Sequence, residues 1–81
     1  MEKLERIEKA EDYIRTLGFS QVRVRHYSGN LARIEVYKSE LEQLIIPETI
    51  EKVSKALKEL GFNYITVDLE GYRSGSMDEV L

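Results

Sequence analysis

Apolar residues recur at helical spacing from the start of the chain. Leu4, Ile7, Ala10, Ile14 and Leu17 fall on one side of a helix drawn over residues 2–17, and Glu, Lys and Arg fill the other side. Gly18 then offers the left-handed position that stops a helix, and Phe19 follows where an apolar side chain folds back on the last turn. The period next changes to two. Val22 and Val24 point one way and Arg23 and Arg25 the other. Ser28-Gly29-Asn30 reads as a turn. Alternation resumes with Ala32, Ile34 and Val36 against Arg33 and Glu35, so the pair predicts a β-hairpin with a three-residue loop. The parity sets Tyr27 opposite Leu31, Arg25 opposite Arg33, Val24 opposite Ile34 and Arg23 opposite Glu35.

Ser39 starts a short helical turn through Ile45, and Pro47 opens a second long helix with an apolar stripe at Ile50, Val53, Leu57 and Leu60. Gly61-Phe62 closes it as Gly18-Phe19 closes the first. A third strand follows, with Ile65, Val67 and Leu69 inward and Tyr64, Thr66, Asp68 and Glu70 outward. The Leu-Gly-Phe joint occurs at Leu17 and again at Leu60. Two copies mark a repeated helix-to-strand joint, because two units cannot stack into an array. The predicted order is α-β-β-α-β. One apolar stripe per helix and one apolar face per strand point to an α+β fold, with both helices packed on one face of a three-stranded sheet. This is a truncated ferredoxin-like unit, a βαββαβ without its first strand. In that topology the missing strand leaves a gap that another chain segment could fill.

At 81 residues the chain makes a single domain, 1–81, near the lower size limit for independent stability. Residues 70–81 read best as a flexible tail rich in Gly and Ser, closed at most by a helical turn. The net charge of −3, with both signs interspersed, gives no general pull toward nucleic acid or an anionic membrane. With no cysteine, disulfides, thiolate nucleophiles and Cys-based metal sites are excluded together. The only histidine is His26, so no His-His metal motif can form. It keeps the inward parity of Val22 and Val24 beside the turn, which reads as a packed structural residue. No apolar run reaches the length of a membrane span or secretory segment, so the expected location is the cytoplasm.

The outward sheet face carries the candidate chemistry: Arg23, Arg25 and Arg33. Arg23 and Arg25 are about 7 Å apart along their strand, and Arg33 sits across from Arg25. Like charges directly opposite are destabilising, and a nearby acid or a bound anion offsets that cost. The planar guanidinium fork suits phosphate or carboxylate. The plainer alternative is an ion-pair lattice, Arg23 with Glu35 and Arg25 or Arg33 with Asp68, with no ligand at all. Asp68 and Glu70 share a face, but adjacent outward acids are too common to mark an acid/base pair. In the tail, Arg73, Ser74 and Ser76 make a second candidate anion site, matching neither the phosphate-loop nor the dinucleotide pattern. No catalytic residue and no metal ligand set is identified.

Three segments resemble the C-terminal third of the LarE family. They are Val22-Arg23-Val24-Arg25-His26, Ala32-Arg33-Ile34-Glu35-Val36, and the run from Asp68-Leu69-Glu70-Gly71-Tyr72-Arg73-Ser74-Gly75-Ser76 through Met77-Asp78-Glu79-Val80-Leu81. The likeness extends from about Leu4 onward. LarE proteins are PP-loop ATP pyrophosphatases acting as sacrificial sulfur transferases, which adenylylate a pyridinium mononucleotide carboxylate and insert sulfur. The resemblance implies that Arg23 and Arg25 lie on the strand whose arginines help bind substrate phosphate. The family's Ser-Gly-Gly-x-Asp-Ser loop and sacrificial cysteine are absent from this sequence. The expectation is therefore a noncatalytic accessory or C-terminal domain of a LarE-like enzyme. It would bind no cofactor alone and would dock on a PP-loop subunit or domain, with ATP and a pyridine mononucleotide belonging to the full-length assembly. The alternatives are a stand-alone module for a small phosphorylated ligand, or an oligomerisation domain pairing through its open sheet edge. An enzyme acting alone is the least favoured class.

Overall fold

The structure, a computed structural model, describes residues 1–73. Its elements are α1 (Lys3–Thr16), β1 (Val22–Tyr27), β2 (Leu31–Val36), a 3-10 turn (Lys38–Glu40) running into the short α2 (Leu41–Leu44), α3 (Pro47–Glu59) and β3 (Tyr64–Val67). The predicted α+β order is thus the observed one. Glu2 caps α1, its carboxylate accepting from the Glu5 N–H at 3.1 Å. Pro47 stands in the first turn of α3, where its missing N–H costs nothing.

Both Leu-Gly-Phe joints act as helix stops. Gly18 and Gly61 have φ of 103° and 108°. At the second joint the Gly61 N–H donates to Lys58 O (3.0 Å) and the Phe62 N–H to Leu57 O (3.1 Å), a complete Schellman closure. The phenylalanine after each glycine is buried in the core. The joint therefore ends a helix, reverses the chain and inserts a core side chain in three residues.

The hairpin register matches the sequence reading position by position, from Val22↔Val36 through Arg25↔Arg33 to Tyr27↔Leu31. The sheet order is β1-β2-β3, with β1 antiparallel and β3 parallel to β2. Here the structure corrects the expected gap. β3 pairs directly with β2, from Leu31↔Tyr64 to Ile34↔Val67. Direct pairing satisfies backbone groups that a gap would leave orphaned. Asn63 fastens the start of β3 to the hairpin turn, its N–H donating to Asn30 O (2.8 Å) and its side chain to Gly29 O (3.2 Å).

One face of this sheet is the core. Val22, Val24, Ala32, Ile34 and Val36 pack against Ala10 and Ile14 of α1 and Val53 and Leu57 of α3, with Ile65 and Val67 at the margin. Three predicted inward positions lie outside this core. Leu4 and Ile50, at the ends of their stripes, are exposed, and so is Leu69. Leu69 escapes because β3 stops at Val67. The Asp68 carboxylate accepts from the Glu70 N–H at 2.9 Å and the Gly71 N–H donates to Asp68 O at 3.0 Å, turning the chain. The chain then returns to β2, where the Tyr72 N–H donates to Val36 O (2.6 Å) and the Tyr72 ring meets Tyr37 edge-on. The helical turn expected near the end of the tail lies outside the described residues.

Candidate functional site

With the helices on one side, the odd-numbered positions of β1 and β2 form the opposite face. The hairpin register brings Arg23, Arg25 and Arg33 together there, with Glu35, Tyr27 and the outward residues of β3. The centre of this face is Glu35, which is completely buried although it points away from the helices. Its Oε2 accepts from Arg33 twice, from Nη2 at 2.9 Å and from Nε at 3.2 Å. Arg25 Nε lies 3.6 Å from the same oxygen, an ion pair beyond hydrogen-bond length. Arg33 Nε is also 3.9 Å from Asp68 Oδ2, and its guanidinium stands 5.4 Å from the centre of the Tyr27 ring. The Arg25 and Arg33 side chains are mostly covered, keeping 17% and 27% of their surface in solvent.

The electrostatic logic follows from register. Arg25 and Arg33 are forced opposite each other, and a buried carboxylate needs cations around it. Glu35 resolves both conditions at one point. The offsetting acid that the facing arginines call for is thus Glu35, helped by Asp68. The sequence reading placed Glu35 opposite Arg23 but treated it as one member of a solvated lattice. No signal in the sequence marked it, since alternation with the inward Ile34 and Val36 puts Glu35 on the outward face. Glu35 Oε1 is buried with no hydrogen-bond partner.

Arg23 and Arg25 also line a groove of about 440 Å³ along β1, closed on the other side by Ile7, Glu8 and Glu11 of α1. Glu11 Oε2 accepts the Val24 N–H at 2.9 Å, so α1 covers part of this sheet edge. The groove has cations on the strand side and carboxylates on the helix side.

Other candidates separate from this cluster. His26 faces the core side: its Nε2 is 3.1 Å from Asn30 Oδ1 and its ring meets Phe62 edge-on at 5.2 Å, a packed structural histidine. Arg6 Nη1 donates to the same Asn30 oxygen at 2.9 Å, which ties α1 to the hairpin turn. Asp68 and Glu70 do not form an acid/base pair: Asp68 faces Arg33, while Glu70 lies in the turn and pairs with Arg73 at 3.4 Å. Ser74 and Ser76 lie outside the described residues. Among the described residues no group of three His, Cys, Asp or Glu is placed to hold a metal, and no helix is long and apolar enough to cross a membrane.

No family model matches the chain. It is 43% identical over its full length to an uncharacterized protein of Synechocystis, of which it spans 30%. It is 42% identical, over 89% of its own length, to 25% of the pyridinium-3,5-bisthiocarboxylic acid mononucleotide synthase of Lactiplantibacillus plantarum. An uncharacterized protein of Methanocaldococcus jannaschii is 36% identical over 91% of the chain, which spans 28% of that protein. The chain thus spans between a quarter and a third of the curated relatives it matches. It is related in sequence to a segment of a LarE protein, as the motif resemblance implied.

Proposed function

We propose that this chain is a noncatalytic domain of a LarE-like PP-loop sulfur transferase, its C-terminal part by the motif likeness, in which Arg23, Arg25 and Arg33 bind a phosphate group and form the docking face. The observation that carries this reading is the register that sets the three arginines on the face away from the helices, two of them, Arg25 and Arg33, against one buried carboxylate. The relatedness to the synthase supports it, because the matching segment includes the arginine strands over most of this chain's length. In this reading the chain supplies phosphate-binding side chains. ATP activation and sulfur donation fall to a PP-loop partner, and ATP and a pyridine mononucleotide belong to that assembly. Arg73, Ser74 and Ser76 are a second proposed anion contact.

Two measurements test it. Titration of the 15N-labelled chain with inorganic phosphate should move signals of β1 and β2. Arg25→Ala should weaken binding by about tenfold, as expected for loss of one charge-assisted hydrogen bond. Titration with a PP-loop subunit should move the same signals. A wild-type chain that binds neither phosphate nor a PP-loop subunit overturns the proposal.

One observation favours the stand-alone binding module as a second reading. The groove beside Arg23 and Arg25 is lined by this chain's own residues on both sides. Phosphate shifts confined to Arg23, Arg25 and their groove neighbours, with no response to any PP-loop protein, would select it.

A further inference from the structure

We propose that β3 is the contact edge for a second copy of this chain, which pairs with it as an antiparallel strand across a two-fold axis at Thr66. The inference stands apart from the phosphate reading, since it uses the sheet edge opposite β1 and no arginine.

The two edges of the sheet differ in protection. At the β1 edge the Glu11 carboxylate accepts the Val24 N–H at 2.9 Å, which denies that donor to an incoming strand. β3 is the other edge, and among the described residues no strand lies on its far side. The Tyr64 and Asp68 N–H groups are directed at Asn30 O and Ile34 O, both on the β2 side. Backbone groups alternate in direction along a strand, so the N–H and C=O of Ile65 and Val67 point away from the sheet. The strand Tyr64–Val67 carries no Lys, Pro or inward charge, the devices that keep an edge single.

Beside this edge runs an apolar groove of about 450 Å³, walled by Leu44, Ile45, Ile50 and Val53 on one side and by Ile65 and Val67 on the other. Ile45, Ile50 and Tyr64, all on the groove, are exposed. Exposed apolar side chains clustered beside unpaired backbone mark a protein contact made by strand addition.

Register and charge select a copy of this chain as the occupant. Turned about an axis at Thr66, Ile65 falls opposite the copy's Val67, and Val67 opposite the copy's Ile65. A pair of this kind exchanges both of its backbone hydrogen bonds, so every outward N–H and C=O of these residues is satisfied. Thr66 meets its own copy, and Tyr64 meets Asp68, a phenol opposite a carboxylate. No like charges are opposed along the new ladder. Lys58 is the single charged residue lining the groove. Antiparallel pairing sends the two α3 helices in opposite directions, which carries the two lysines to opposite ends of the joined groove. An axis perpendicular to the sheet also keeps the helices of both copies on one side, and the faces bearing Arg23, Arg25 and Arg33 on the other. The pair is one continuous sheet, and the proposed anion faces stay uncovered by the contact.

With only 4 residues of strand on each side the interface is small, so association should depend on concentration. Sedimentation velocity of the full chain from about 1 μM to about 1 mM should show monomer passing to dimer. Amide exchange at Ile65 and Val67 should slow as the dimer forms. Thr66→Lys and Thr66→Glu each set like charges across the axis and should raise the dissociation constant about fivefold. An equimolar mixture of the two variants should dimerise at least as well as the wild type. A wild-type chain that stays monomeric throughout overturns the proposal, and so does a mixture no better than either variant alone. Should a variant fail to fold, the wild type still decides: a dimer that forms without slower exchange at Ile65 and Val67 overturns the proposal. Slower exchange that needs an added PP-loop subunit, in a chain otherwise monomeric, gives the edge to that partner and overturns the second copy. The phosphate reading survives each of these outcomes.

Discussion

Gly71 satisfies two constraints at once. Its φ is +82°, and a Cβ there would stand 2.8 Å from Val36 O and 3.0 Å from Lys38 N, both backbone atoms. Gly61 has a similar φ, +108°, but its nearest neighbour would be the Arg6 guanidinium at 3.0 Å, the far end of a flexible side chain. The two glycines therefore separate conformational strain from collision. Gly61→Ala should cost about 1–2 kcal/mol, the left-handed penalty alone. Gly71→Ala should cost clearly more, because the Tyr72–Val36 closure must move. Urea unfolding of the two variants compares them, and equal costs would show that the return of the chain onto β2 is slack. At this scale the sequence was legible wherever one local rule decided. Gly18 and Gly61 followed from helix-stop chemistry, and the alternation of Val and Arg told which arginines share a face. The burial of Glu35 was not legible, because it follows from how Arg25 and Arg33 converge across the hairpin and not from its own neighbours in sequence.

Elements tell a similar story with a different limit. The hairpin register was readable because two demands agreed: apolar side chains had to face the helices, and a three-residue turn fixed the pairing. The place of β3 was not readable, since a strand connected through a helix can join a sheet at either edge, and local pattern does not choose between them. The helix stripes held from their centres to their C-terminal ends, where Leu17 and Leu60 pack on the core, and failed at their first positions, Leu4 and Ile50. Leu57, in the middle of α3, is fully buried, whereas Leu4 near the start of α1 is 63% exposed. Leu57→Ala should therefore cost about 2–5 kcal/mol through lost transfer and a residual cavity. Leu4→Ala should change stability by no more than about 0.5 kcal/mol. Chemical denaturation of both variants checks the contrast. A large loss at Leu4 would mean that its apolar surface is covered in solution.

Stability and binding meet at the scale of the whole molecule. A chain of 81 residues has a total stability of only about 4–12 kcal/mol. In so small a reserve, a ligand that binds the folded state alone should be visible as a rise in melting temperature. At a phosphate concentration 100 times its dissociation constant, linkage gives about 2.7 kcal/mol. In a domain of this size each kcal/mol moves the midpoint by about 4–8 °C, so the shift should reach about 10 °C or more. Sodium chloride at equal ionic strength should produce a far smaller shift, since screening acts on all exposed charges while the proposed site would select phosphate. Arg25→Ala, binding about tenfold more weakly, should keep only about 1.4 kcal/mol of that linkage at the same phosphate concentration, and so about half of the shift. If phosphate and chloride stabilise the wild type equally, the outer face is an ion-pair lattice whose arginines serve Glu35 and Asp68 and no ligand.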